Sequence, residues 1–301
     1  MKFSRLICYG NLLLLAFALC AFRYGFFEQQ PGLSLALNDM QFILLVISCV
    51  CIAAGGFIIN NITGLTDLQI KQQYGVSESL SYYLYATFNI IGVGIGFYLS
   101  NLIMKPGFAL IFIVIAGTLY FYSTNLKYTL IVNNLVISVC VALSILILGV
   151  FDLYPAINPH SQSYLANIFS ILIDFAFFAF VISFIREIVK DLRDVDKDYN
   201  EGINTLPIVL GKERTSKVVF ALGLVATGMI LYYGNEYIIT LTWALIYGLI
   251  FILGPVIYFL IKIWSAKSSK EFNVLSFILK MVLAFTVLSI VLITFNIKYN
   301  A

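Results

Sequence analysis

Between Arg186 and Asp198 the chain carries five carboxylates, Glu187, Asp191, Asp194, Asp196 and Asp198, and four cations, Arg186, Lys190, Arg193 and Lys197. They directly follow an apolar run long enough to cross a bilayer. If a helix continues through them, Glu187, Asp191, Asp194 and Asp198 stand at i, i+4, i+7 and i+11 and share one face. Arg186, Lys190, Arg193 and Lys197 repeat that spacing one residue earlier as an adjacent basic stripe. Mg²⁺ prefers a few carboxylates plus substrate phosphate oxygens, so an acidic strip beside a basic one suits a metal-bridged diphosphate. The same spacing also builds a solvated helix end laced by pairs such as Lys190 to Asp194, and spacing alone leaves both readings open. Asp174, inside the apolar run, is costly at that depth and is expected to meet either substrate or a polar neighbour. His160, beside the turn-forming Asn158-Pro159, is expected on a loop surface away from this chemistry.

The elements that must position these residues are set by composition. Hydrophobic residues make up 61% of the 301, charged residues 11%, and the mean hydropathy is +0.97. Soluble chains hold about 45–50% apolar and about 25% charged residues. The chain is therefore expected to be all-α and polytopic, a membrane bundle with no role in nucleic-acid binding. Apolar runs fall at roughly 6–22, 42–59, 79–100, 107–123, 129–150, 165–185, 216–233, 237–261 and 275–296, each near the length needed for a hydrocarbon core of about 30 Å. Nine transmembrane helices use up the chain as a single domain, 1–301, and runs this long and continuous exclude barrel strands. Gly92, Gly94 and Gly96 in the third run are spaced for close helix approach.

Met1-Lys2-Phe3-Ser4-Arg5 ahead of an apolar run imitates a secretory signal, but Leu19 before Cys20 is too bulky for the usual cleavage position, so an uncleaved first span is expected. Cys8, Cys20, Cys49, Cys51 and Cys140 lie in apolar runs without metal-ligand spacing and read as small hydrophobes. With the N-terminus inside, fourteen of the eighteen Lys and Arg fall on cytoplasmic loops, while Arg23, Lys105 and Lys298 lie outside and Lys280 sits in the last span. The expected location is the inner membrane of a bacterium, with a cytoplasmic N-terminus and with loops 60–78 and 186–215 on the same side.

The string from Arg186 to Lys212 contains Asp194-Val195-Asp196-Lys197-Asp198, then Gly202, Thr205-Leu206-Pro207 and Gly211-Lys212. It closely resembles the second aspartate-rich motif of the UbiA family of intramembrane prenyltransferases. There, DxxxD is followed by Gly, a Thr-Leu-Pro-like turn and Gly-Lys. The resemblance implies a ring of nine helices around a central cavity, in which two aspartate-rich motifs hold Mg²⁺ and the diphosphate of an isoprenyl donor. Carried over, Asp194 and Asp198 hold the metal and Asp191 joins them in catalysis. Lys190, Arg193, Lys71 and Lys212 are the cations for phosphate oxygens. Phenylalanines of the run 175–180 could line an isoprenoid tunnel.

The family's first motif, NDxxDxxxD after the second span, is degenerate here. Asn60 fits, but the three Asp slots hold Asn61, Gly64 and Leu68. Asp67 is displaced by one position, about 100° around a helix axis. Ser77-Glu78-Ser79 then opens the third span as a helix cap. The resemblance implies Mg²⁺-dependent transfer of a polyprenyl group from an allylic diphosphate to a small aromatic or lipid-precursor acceptor, among membrane lipid. The missing acids leave a second reading, a non-catalytic isoprenoid or lipid binder of the same fold. A transporter lacks support, since paired Gly-Pro interruptions and a chain of midplane acids are absent from the sequence.

Topology is open to direct test. Reporter fusions at Lys71 and Asn204 should both report the cytoplasm, and a fusion after Ala301 the outside. Opposite locations for the first two would overturn the nine-span reading.

Overall fold

The structure, a computed structural model, describes residues 2–159 and 161–300, the side chain of Asn300 excepted. His160 and Ala301 lie outside the described residues. Among the described residues there is no strand, and nine helices are long and apolar enough to cross a membrane: Tyr9–Gln29, Asp39–Ile62, Glu78–Leu102, Pro106–Thr124, Val132–Ala156, Gln162–Asn200, Lys212–Ile238, Thr242–Ser265 and Ser269–Tyr299.

The first apolar run is not one helix. Leu6 ends a separate short helix, Lys2–Leu6, and Cys8 breaks the chain at φ +48° before Tyr9. The expected span from residue 6 is therefore corrected to begin at Tyr9. Cys8 is a half-buried turn residue and not a core hydrophobe; of the five cysteines, all free, Cys51 alone is buried.

The sixth span departs from its apolar run in the other direction. Gln162–Asn200 is one helix of 39 residues, about 58 Å at 1.5 Å per residue and nearly twice the hydrocarbon thickness. Residues 186–200 thus project beyond the apolar run as a rigid continuation. Gly202, at φ +69°, ends the helix. The Ile203 N–H donates to Asp198 O and the Gly202 N–H to Tyr199 O, the two bonds of a Schellman motif. Pro207 then occupies the first turn of the short helix Leu206–Leu210, and Gly211, at φ +86°, leads into the seventh span.

The chain divides into two compact units. The first comprises Met1–Leu19, Ser34–Lys127 and Ile147–Phe169, and the second Cys20–Leu33, Tyr128–Leu146 and Ser170–Ala301. Within the first, Asp39–Ile62 packs on Glu78–Leu102 and Pro106–Thr124. Small residues make the approach close. A Cβ added at Gly92 would lie 2.6 Å from Ile52 Cγ1 and 3.0 Å from Ser48 O, and one at Gly96 would meet the Phe112 ring; Gly94 faces open space. The Ser48 hydroxyl donates to Gly92 O at 2.6 Å, tying the same two spans. Ser77 caps the third span as expected, accepting from the Leu80 N–H at 3.2 Å.

Within the second unit, Ile185, Ile188, Val189 and Leu192 of the long helix are buried in a core with Val256, Phe259 and Ile263 of the eighth span and Phe272, Leu275 and Leu279 of the ninth. That packing continues past the apolar run. It explains why the helix stays ordered where it becomes charged: one stripe of residues 185–192 is buried while the neighbouring stripe carries the charges.

Replacing Gly92 by Val should overpack the contact between the second and third spans, at a cost of about 1–3 kcal/mol. A thermal melt of the detergent-solubilised protein should fall by several degrees, and an unchanged Tm would contradict the close approach.

Candidate active site

Along the projecting helix of the second unit the charges fall into two groups. Glu187, 7% exposed, receives Lys190 Nζ at 2.6 Å and Arg186 Nη1 at 3.4 Å. Arg186 is itself held by its Nε donating to Ser276 O at 3.3 Å. Burial works to raise the Glu187 pKa, but the charges of Lys190 and Arg186 outweigh it and hold the carboxyl below its usual range. Asp194 is gripped by Arg193, whose Nε donates to Oδ1 at 2.8 Å and Nη2 to Oδ2 at 2.5 Å. Arg193 is anchored in turn, with Nη1 donating to Asn273 Oδ1 at 3.1 Å and its carbonyl accepting from the Ser269 hydroxyl at 2.9 Å.

Asp191 and Asp198 are different, having no ion-pair partner among the described residues. Asn134, at the start of the fifth span, donates its Nδ2 to Asp191 Oδ2 at 2.8 Å. Burial, reinforced by the charges of Glu187 and Asp198, pushes the Asp191 carboxyl up to about 7 despite that bond and Lys190. Burial and then the Asp194 charge raise Asp198 to about 6. Both groups lie beyond the apolar run 165–185. Carboxylates buried near one another without cations favour an added positive charge. Among the described residues no three His, Cys, Asp or Glu side chains gather closely enough to hold a metal alone. That accords with Mg²⁺, which takes one or two carboxylates and completes its octahedron with waters and phosphate oxygens. The acidic strip thus fits a cation that arrives with a diphosphate.

The family model for the "UbiA prenyltransferase family" matches residues 14–283. The chain belongs to that family. Curated proteins named digeranylgeranylglyceryl phosphate synthase are similar to it. The one from Sulfolobus acidocaldarius is 32% identical over 182 residues, 57% of this chain and 58% of that protein. The one from Metallosphaera sedula is 25% identical over 248 residues, 78% and 77% of the two chains. For the Sulfolobus protein and the one from Methanosphaera stadtmanae, the match spans only 58% and 54% of their lengths. Among solved structures, an apo UbiA homolog from Aeropyrum pernix K1 superposes with a TM-score of 0.63 at 15% identity, covering 97% of this chain and 98% of that one. A UbiA homolog from Archaeoglobus fulgidus bound to GPP and Mg²⁺ gives 0.54 at 17% identity, covering 96% and 99%. At these identities the structures establish the shared all-α membrane fold.

Other residues singled out in the UbiA-family sequence fall as follows. Lys212 opens the seventh span and is exposed. In the first unit, Lys71 pairs with Asp67 at 2.5 Å, and Asp67 also accepts the Glu78 N–H at 2.8 Å. That N–H, and then Lys71, hold the exposed Asp67 carboxyl below its usual range. Asn60 is half-buried on the last turn of the second span, and the Asn61 amide donates to Leu6 O. Asp174 accepts from the Tyr233 hydroxyl at 2.8 Å, the polar-neighbour outcome of its two readings. Of the candidate tunnel aromatics, Phe180 stacks between Phe177 and Phe184, whereas Phe177 is 52% exposed. Sequence reasoning missed Asn134, the residue that orients Asp191. Its signal was the pair Asn133-Asn134 opening an apolar run, both of them buried.

Removing the Asn134 amide should loosen Asp191. Mn²⁺ binding in the presence of pyrophosphate should weaken about tenfold in Asn134→Ala, the usual scale for an orienting residue one layer out from a metal. Titration calorimetry showing unchanged affinity would separate Asp191 from the cation site.

Proposed function

We propose that this chain transfers a polyprenyl group from an allylic diphosphate to a small acceptor within a membrane, its residues 1–301 working as one UbiA-like domain. What carries the reading is that half-buried Asp191 and buried Asp198 have no ion-pair partner among the described residues, on a helix where Glu187 and Asp194 are both paired. Asp194 and Asp198 are the metal-holding residues, with Asp191 beside them. A bound Mg²⁺ would supply charge neutralisation for the donor's diphosphate.

The chain's own groups do the remaining work. Cleavage of the allylic C–O bond leaves negative charge on the departing diphosphate, so cations are needed where that charge grows. Lys190 and Arg193 stand on the same helix as the carboxylates and are preset by Glu187 and Asp194, which fixes their direction before substrate arrives. Lys212, exposed at the head of the next span, is a further cation for the departing phosphate oxygens. The allylic cation is then captured by the acceptor, with apolar surroundings keeping water from competing.

Of the two acceptor classes, a glycerol-phosphate lipid precursor is favoured over a small aromatic ring, because similar proteins carry the name digeranylgeranylglyceryl phosphate synthase. Those relatives are archaeal, so the expected bacterial inner membrane is widened to a prokaryotic plasma membrane, with the N-terminus cytoplasmic. The second reading, a non-catalytic isoprenoid or lipid binder, is favoured by one observation: Asn61 and Asp67 of the degenerate motif are both committed to protein groups.

Purified protein given a labelled isoprenyl diphosphate, Mg²⁺ and a glycerol-phosphate lipid precursor should form a labelled ether product. Asp194→Ala and Asp198→Ala should each lower the rate about a hundredfold or more. Donor that binds with Mg²⁺ and is never consumed, with any acceptor, would favour the binder.

A further inference from the structure

The stretch from Asn60 to Tyr74 has a use of its own in the first unit. The second span stops at Thr63, whose N–H donates to Ile59 O, and Gly64 turns the chain at φ +87°. Thr66 then caps the helix Asp67–Tyr74, its hydroxyl accepting from the Gln69 N–H in a reciprocal capping box. Two polar ties reach from here to the N-terminal helix. Asn61 Nδ2 donates to Leu6 O at 2.8 Å, at that helix's carboxyl end, and Lys2 Nζ donates to Gln72 O at 3.0 Å. Between the ties Leu6, fully buried, packs with Ile58, Ile59, Ile62, Ile70 and Tyr74. The N-terminal helix is thus joined to the end of the second span and to the helix that follows it, at one apolar cluster with hydrogen bonds on either side of it.

This arrangement does not fit a cation. Asn61 must present its nitrogen to the Leu6 carbonyl, since that oxygen can only accept. A carboxylate there would set two acceptors against each other. Gly64 holds a left-handed conformation in which an Asp would be strained. Leu68 is 65% exposed, and Asp67 is occupied by the Glu78 N–H and Lys71.

We propose that residues 60–74 are the dock for the N-terminal helix and not a cation site, so that this chain takes up one divalent cation per molecule together with a diphosphate, at Asp194 and Asp198. The second half of this statement rests on the prenyl-transfer reading. The dock itself does not.

Counting Mn²⁺ bound to the full-length protein in detergent with inorganic pyrophosphate, by paramagnetic resonance of the free ion, should give one per chain. The count should fall to none in the double variant Asp194→Asn, Asp198→Asn. It should stay at one in Asn61→Asp, which supplies a carboxylate but removes the donor. Two ions per wild-type chain, or a second ion in Asn61→Asp, would overturn the inference while leaving prenyl transfer standing; no ion at all would overturn both. The dock is tested separately by hydrogen exchange, where Asn61→Ala should speed exchange of the Ile7 and Cys8 amides by about fivefold to tenfold. Unchanged exchange there would overturn the dock whatever the metal count.

Discussion

Carboxylates buried on the end of an apolar helix must be compensated, and the organisation of the second unit follows from that requirement. Removing a charge from water costs several kcal/mol even after relaxation, and only close opposite charge or good hydrogen bonds offset it. Glu187 has Lys190 and Arg186, and Asp194 has Arg193. Arg186 and Arg193 are pinned to the ninth span through Ser276, Asn273 and Ser269. Asp191 receives one neutral amide, and Asp198 carries the repulsion of Asp194. The helix therefore combines acids that serve its own packing with acids that remain short of positive charge. In the proposed reading, a cation brought by a diphosphate supplies what Asp191 and Asp198 lack and shares Asp194 with Arg193.

The length of the sixth span makes this arrangement work. A helix that ended at the membrane surface would leave the acids on a loop, where they would be solvated and fully ionised. Continued to Asn200 and packed through Ile188, Val189 and Leu192, it holds Asp191, Asp194 and Asp198 in fixed register. The Schellman stop at Gly202 and the proline-led turn at Leu206–Leu210 return the chain to Lys212 without loosening that register. Preset charge of this kind costs little reorganisation when negative charge develops on a leaving group.

The spans were legible in the sequence because a hydrocarbon core imposes a length and excludes charge, and both leave marks on composition. The helical reading of residues 186–198 was legible too, since its i, i+4 pattern has no other simple use. What sequence could not supply was pairing. Of the readings that spacing leaves open, the solvated helix end pairs Lys190 with Asp194, but in the structure Lys190 pairs with Glu187 and Arg193 grips Asp194 from the adjacent position. Asn134 lies 57 residues from Asp191, and local periodicity has no means of joining them. The break at Cys8 was hidden inside an apolar run, since it depends on Leu6 finding a cluster built from residues 58–74. The damaged first motif was visible as missing acids, but its use as a docking surface appears only in three dimensions.

The central claim is that the acids of residues 186–198 form a seat for a metal and a diphosphate and are not a solvated helix end. Anomalous scattering from Mn²⁺ in crystals grown with a non-ionisable thiolodiphosphate tests it most directly. The account predicts a manganese peak within coordination distance of Asp194 and Asp198 and continuous with the diphosphate density. A diphosphate bound elsewhere on the chain, with no manganese at these two carboxylates, would contradict it.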